Sequence, residues 1–368
     1  MFNPFRPKPG LIVHSEHPYN AEPPLDRLRA AAVTAQRDFY VRSHGAIPAL
    51  DAGTHRLRVD GRVATALDLS MAELRERFPR RCVTATMQCA GNRRADLHAV
   101  RPVSGDPWAP GAIGTAEWTG VALADVLRAA GAHGAAEGGA ALHVAFAAAD
   151  EVEMEGEAPF RYAVSIPIAR ALSPEVLLAF EMNGEALAPE HGFPLRIVVP
   201  GFAGVRSPKW LCAITVQDAP SDSAVQQRDY RLVPPDATAA TVDWARGAAI
   251  EEMPLTSAIC EPARHARFAP GRTVVRGYAV ASGRDVVRVD VSGDGGRSWG
   301  QAALQHDPAA PWSWTLWEHA LELEAGEHEL VVRAWDSAGQ TQPARADEVW
   351  NFKGYLGAAW HRVAVSAG

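Results

Sequence analysis

The residues best placed to do chemistry lie in one short stretch, Thr86-Met87-Gln88-Cys89-Ala90-Gly91-Asn92-Arg93-Arg94. A thiol followed within five residues by two guanidiniums, across an Ala-Gly-Asn turn, sits in a field that favours thiolate over thiol. A thiolate is either a nucleophile or a soft metal ligand, and the stretch alone leaves both open. A cysteine taken by itself is more often a small core residue; further cations in unusual contexts set Cys89 apart. Arg42 lies between Phe39-Tyr40-Val41 and Ser43-His44, Arg196 is embedded in the apolar run PLRIVVP, and Arg206 and Lys209 lie in the Gly-rich GFAGVRSPKW. An arginine taken out of water must be paired. A salt bridge to one of the 43 acidic residues is the simple reading for each. Several cations on short, glycine-flanked segments of an acidic protein point instead to a bound polyanion such as a phosphate.

These residues need a scaffold, and 368 residues suggest two domains, each able to bury a core. A formal charge of −7 excludes a generally basic surface for nucleic acid or lipid. No apolar run reaches the ~18–20 residues of a membrane span, and the first residues, MFNPFRPKPG, lack a secretory apolar stretch. No membrane association and a cytoplasmic location are therefore expected. Four cysteines (Cys82, Cys89, Cys212, Cys260) are too few for a disulfide scaffold, and none are spaced C-x-x-C as a zinc knuckle would be.

Residues 1–38 read as an extended, Pro-rich lead-in whose His14 and His17 are surface histidines. From Phe39 to about residue 215, short apolar runs alternate with helical patterns. Ser70-Met71-Ala72-Glu73 is a capping box opening a helix that carries Leu74 and Phe78 and ends at Pro79. Ala122–Ala130 presents one apolar helical face, with Gly131 as its stop, and Pro194–Pro200 reads as a buried strand. No regular βαβ rhythm appears, so the class is α+β. Val233–Thr241, rich in Pro, Ala and Thr, reads as a connector. Beyond it Val287, Val289 and Val291 alternate with polar residues before the turn Gly293-Asp294-Gly295-Gly296, and Thr273–Val280 and His328–Trp335 are further strands. The reading is an α+β domain over 1–232 followed by an immunoglobulin-like β-sandwich over 233–368.

The stretch TMQCAGNRR closely resembles the sulfite oxidase family of molybdenum enzymes. FYVRSH lies before it, and EMNGEALAPEHGFPLRIVVPGFAGVRSPKWL, QQRDY, VRVDVSGDGGRSW and VWNFKGYLGAAWHRV follow in the family's order. The resemblance runs from about Phe39 to the C-terminus and implies a central molybdopterin domain followed by an immunoglobulin-like dimerisation domain. It implies that Cys89 binds molybdenum and that Tyr40, Val41, Arg42, Ser43 and His44 hold the pterin, with Ser43 where the family usually has Asn. Asp150, which follows a Gly/Ala-rich insertion, His191, Arg196 and the segment Arg206, Ser207, Pro208 and Lys209 supply the remaining cofactor contacts. A carboxylate accepts from ring N–H groups while the cations meet the phosphate. Arg42, Arg94, Trp108 and Tyr230 match the substrate pocket, and Lys353 in WNFKG replaces a family arginine, keeping the charge but losing the planar fork.

The resemblance thus implies oxidation of sulfite to sulfate on a molybdenum-molybdopterin cofactor, with electrons passed to an external acceptor, a cytochrome or dioxygen. The alternative keeps the cofactor but reduces nitrate or another S- or N-oxide; Lys353 and Tyr230 lean toward sulfite. A non-enzymatic adhesion or scaffold role leaves the cations around Cys89 unexplained. A homodimer is expected through the second domain, where the apolar stretch Tyr355–Val365 covers the interface or completes the sandwich core.

Overall fold

The structure, a computed structural model, describes residues 5–132, 142–154 and 158–368. Residues 133–141, most of the Gly/Ala-rich insertion, lie outside these. Two sheets build the first half of the chain. In one, Arg80–Gln88 and Ile113–Ala122 pair antiparallel from Arg80 opposite Val121 to Gln88 opposite Ile113, and Leu177–Met182 flanks Ile113–Ala122 on its other edge. The other sheet runs in the order Leu67–Ser70, Arg56–Gly61, Leu211–Gln217, His143–Val152, Phe160–Pro167, antiparallel except between Arg56–Gly61 and Leu211–Gln217. Successive side chains of a strand point to opposite faces. In His143–Val152 that period puts Val144, Phe146, Ala148, Asp150 and Val152 on one buried face, so the Asp150 carboxylate is carried inward with the hydrocarbon. Both sheets contribute to one core, Leu57, Phe146, Val164 and Ile214 meeting Val121, Leu178 and Ile197.

The expected helix starts form as read. Met71–Arg77 is capped by Ser70, whose Oγ accepts from the Glu73 N–H at 3.2 Å while the Glu73 carboxylate accepts from the Ser70 N–H at 2.8 Å. Replacing Ser70 with alanine leaves orphan N–H groups at the helix start and is expected to cost about 1 kcal/mol, read as a lower denaturation midpoint with an unchanged m-value. Leu123–Ala129 ends at Gly131, whose φ of +72° is the left-handed stop.

Beyond the connector the helical pattern disappears and two sheets face each other. One has the order Thr256–Glu261, Gly271–Val280, Thr315–Leu323, Ala303–Gln305; the other, Arg267–Phe268, His361–Ala367, Gly326–Asp336, Val286–Ser292, Gly300–Gln301. Ile259, Val275 and Trp317 from the first meet Val289, Val291, Val332, Val363 and Val365 from the second in one core. Of the Tyr355–Val365 stretch, Val363 and Val365 join this core, whereas Tyr355 packs into the core of the first half of the chain. Val287 departs from its expected alternation and is 51% exposed. A register shift between Val286 and Arg288 turns Val286 inward in its place.

The lead-in is more ordered than its composition suggests. Ile12–Glu16 and Tyr19–Glu22 form a hairpin, and the buried Glu22 carboxylate accepts from the Ala109 and Gly111 N–H groups at 2.8 and 2.9 Å. His17 is exposed as expected, but His14 is not a surface residue: it donates to Glu22 at 2.7 Å and its ring packs edge-on against Trp108. A sequence window sees only the prolines; the hairpin brings Glu22 to His14, and the indole that covers it comes from elsewhere in the chain. Among the described residues no helix is long and apolar enough to cross a membrane.

Candidate active site

Cys89 sits on the turn immediately after Arg80–Gln88. Its N–H donates to Ala112 O at 2.9 Å, and its Sγ accepts from the Gly91 N–H at 3.4 Å. Asn92 pins the turn: its Oδ1 accepts from the Ala112 N–H at 3.1 Å, and its Nδ2 donates at 3.0 Å to the hydroxyl of Tyr278, which donates in turn to Pro110 O at 2.8 Å. The sandwich domain therefore helps hold the thiol. Arg93, left-handed at φ +65°, points away from the thiol and donates to Asp96, Ser257 O and Ala359 O. The guanidinium neighbouring Cys89 in sequence is thus a brace between domains, not part of the field on the thiol.

A cavity opens beside Cys89. Of the residues singled out from the sequence, Tyr40, Arg42, Ser43, His44, Cys89, Asp150, His191, Arg196, Ser207, Pro208, Lys209 and Tyr230 line it. Five do not. Val41 exchanges backbone hydrogen bonds with Ala21, and Trp108 is fully buried, its Nε1 without a partner among the described residues. Arg206 is fully buried and donates to Ile250 O and Ser165 O at 2.9 and 3.2 Å, bracing the loop whose next residues face the cavity. Lys353 pairs with Asp229 at 3.0 Å. Arg94 lies across Tyr355, its Nε donating to the carbonyls of Lys353 and Gly354 and its Nη1 to Asp106 O at 3.0 Å. Glycines make this slot: a Cβ on Gly91 or Gly354 would fall 2.5 or 2.6 Å from the Arg94 side chain.

Burial sets the charge states around the cavity. Arg196 donates to His191 O and Ser207 O at 2.9 and 3.1 Å; desolvation lowers its pKa to about 10, which still leaves it charged at neutral pH. Lys209 Nζ donates to Ser43 Oγ and Glu190 O, both at 2.8 Å, and burial, helped by Arg196, lowers its pKa to about 7. Burial pushes Asp150 up to about 6 against the pull of Lys209, and its Oδ1 has no hydrogen-bond partner among the described residues. The Tyr230 hydroxyl lies 2.8 Å from His44 Nε2. Burial raises Tyr230 to about 12, so it stays protonated. Burial and the cations Arg42, Lys209 and Lys353 hold His44 well below its ordinary value, so it stays neutral.

Sequence reading missed Lys8, Glu190, Tyr162 and Tyr355. Glu190 and Tyr162 line the cavity, Tyr355 stacks on Tyr230 at 5.1 Å between ring centroids, and Lys8 forms a buried ion pair with Glu190 at 3.2 Å. Glu190 stood beside His191 in PEHG, the one available signal; Lys8 carried none, since a lone lysine in RPKPG looks like solvated lead-in.

The donor set suits a large anionic ligand with ring N–H groups. Among the described residues Arg42, Arg196 and Lys209 have no carboxylate within salt-bridge distance, hydrogen bonding instead to carbonyl and hydroxyl oxygens, and Asp150 keeps a buried acceptor free. Residues 44–225 match the model of the oxidoreductase molybdopterin binding domain, and residues 247–368 that of the Mo-co oxidoreductase dimerisation domain. Sulfite oxidase of Gallus gallus is 48% identical over 361 residues, covering 96% of this chain and 77% of the chicken protein. The chain belongs to the sulfite oxidase family. The Arabidopsis thaliana sulfite oxidase is 39% identical, over 98% of this chain and 95% of that one. The solved structure of the sulfane dehydrogenase SoxCD of Paracoccus pantotrophus superposes with a TM-score of 0.79 at 27% identity, over 96% of this chain and 86% of that one. Family membership accounts for the pairing of a cation-lined cavity with a sheet-rich second domain.

Proposed function

We propose that this chain oxidises sulfite to sulfate with a molybdenum-molybdopterin cofactor seated in the cavity beside Cys89, and passes the electrons to an external acceptor, a cytochrome or dioxygen. The observation that carries the reading is the grouping, around one free buried thiol, of cations without carboxylate partners and an Asp150 Oδ1 without a hydrogen-bond partner among the described residues. In this reading Cys89 binds the metal, Asp150 accepts from pterin N–H groups, and His191, Arg196 and Lys209 meet the phosphate. Bound there, the cofactor supplies oxygen-atom transfer and the two-electron change. Arg42 holds the sulfite anion; Tyr230, protonated and oriented by the neutral His44, donates to a substrate oxygen. Lys353 spends its charge on Asp229, and Arg94 braces the Lys353 loop through its carbonyls. The second domain is the site of a homodimer, measurable by light scattering.

Metal analysis and steady-state assays test the reading. Protein made in a molybdopterin-competent host should carry molybdenum equimolar with the chain and oxidise sulfite with cytochrome or dioxygen as acceptor. Absence of molybdenum, or faster nitrate reduction with a reduced dye than sulfite oxidation, overturns it.

The charge states predict how cofactor retention varies with pH. An anionic cofactor favours protonated Lys209, whose pKa is about 7, so the contribution of Lys209 to retention is full below that value and falls as pH rises through it. Asp150 must be ionised to accept, and with a pKa of about 6 it loses that role as pH falls through 6. Cofactor release measured across the pH range should therefore be slowest between the two, and Lys209→Met should flatten the alkaline limb.

A further inference from the structure

Lys8 has no place in the mechanism above, yet its side chain is only 7% exposed. Its ammonium donates to Gln36 O and to His191 Nε2 and lies 3.2 Å from Glu190 Oε1, so its three N–H groups are all engaged in the wall that carries Phe39, Glu190 and His191 into the cavity. The segment that brings it there is tied down separately. The Lys8 N–H donates to the Tyr19 hydroxyl at 3.3 Å, Phe5 packs on the Tyr19 ring, and Arg27 donates to Gly10 O at 3.0 Å.

The geometry around His191 contains a conflict that Lys8 resolves. Nε2 lies 3.2 Å from Gln36 O, an acceptor, and facing that carbonyl alone the imidazole would carry its proton on Nε2. An ammonium has donors only. Placed between the two, Lys8 supplies the hydrogen for Gln36 O and for Nε2, so Nε2 accepts. Burial, with Lys8, Lys209 and Arg196 around it, keeps the ring neutral, so its single proton resides on Nδ1. That nitrogen has no hydrogen-bond partner among the described residues, and His191 lines the cavity.

We propose that Lys8 is a positioning residue: delivered by the N-terminal segment, it fixes His191 in the Nδ1–H tautomer, so that a neutral imidazole offers a hydrogen-bond donor to the anionic part of the cofactor. The proposal rests on reading this cavity as the molybdopterin site, and goes beyond it in assigning the N-terminal segment a part in building it.

Nitrogen-15 NMR of the histidine rings tests it, with the His191 signals assigned by their loss in His191→Gln. The native chain should show His191 with an unprotonated Nε2, Lys8→Met should move the proton to Nε2, and Lys8→Arg, again a donor without an acceptor, should restore the native pattern. In parallel, Lys8→Met should release pterin about tenfold faster than the native chain, followed by fluorescence of the oxidised pterin, with Lys8→Arg close to native. An Nε2–H tautomer in the native chain, or a tautomer unmoved by Lys8→Met, overturns the proposal. Failure of the underlying reading has a different signature: native protein would hold no pterin at all, while the tautomer would still be readable in the empty pocket.

Discussion

Cys89→Ser should abolish sulfite turnover in a chain that still folds. The substitution removes one soft atom and little volume. The turn is held by the Cys89 N–H, by Asn92 and by Tyr278, none of which involves sulfur, and Gly91 N–H can donate to a hydroxyl as it does to the thiol. The denaturation midpoint should therefore barely move. The chemistry changes far more. A serine hydroxyl stays protonated where a thiol ionises, and its oxygen is a hard ligand in place of a soft one. Loss of residues that merely orient metal ligands costs about 10–100-fold, and loss of the ligand itself should exceed that range. The expected result is pterin still bound by Asp150, His191, Arg196 and Lys209, no thiolate-to-molybdenum absorbance, and no sulfite-dependent reduction of the metal. Sulfite-dependent reduction surviving in Cys89→Ser would sink the assignment.

That prediction rests on the part of the molecule most legible in its sequence. The Cys89 turn, the capping box at Ser70, the stop at Gly131 and the inward Val289 and Val291 of the sandwich were visible because each is local: a few consecutive residues settle the geometry. Asp150 came from resemblance, but its inward aim follows from the period of two along His143–Val152. What the sequence hid was the destination of long cationic side chains. Arg93 and Arg94 stand together beside Cys89, yet the first reaches Ser257 and Ala359 in the second domain and the second reaches Asp106 and the Lys353–Gly354 carbonyls. Lys353 looked like a free cation and is paired with Asp229, while Lys8 looked like solvated lead-in and is buried. A guanidinium or ammonium travels several ångströms from its backbone, so its partner is a property of tertiary packing. The lead-in was misjudged for the same reason. The Asp106 carboxylate that accepts from Asn20, the Ala109 and Gly111 N–H groups that donate to Glu22 and the Trp108 ring that packs on His14 lie far along the chain.

The redistribution of cations sets the second large effect: Arg42→Met should cost sulfite oxidation much more than Lys353→Met. Three cations looked equivalent in sequence as anchors for the substrate anion. Arg94 gives its guanidinium to backbone carbonyls and lies outside the cavity lining, and Lys353 also lies outside it, its charge offset by Asp229. Arg42 lines the cavity together with Cys89 and Tyr230, donates to the Ser43 carbonyl, and has no carboxylate partner among the described residues. A unit charge about 4 Å from an anion, at an effective dielectric near 20, is worth ~4 kcal/mol, of which part is lost to desolvating both ions. Removal should lower kcat/KM by about 10²–10³-fold, most of it in KM, because an anion held equally in ground and transition states is lost from binding. Lys353→Met, deleting a charge already neutralised, should stay within about tenfold. Arg42→Lys separates the two properties of the residue: it keeps the charge and should recover part of KM, but without the planar fork it cannot grip two oxygens at once. Pterin content measured in each variant keeps loss of cofactor from passing as loss of substrate binding. An Arg42→Met chain with full pterin and a near-native KM would show that the anion is held elsewhere, and a larger loss in Lys353→Met would place it at the Asp229 pair.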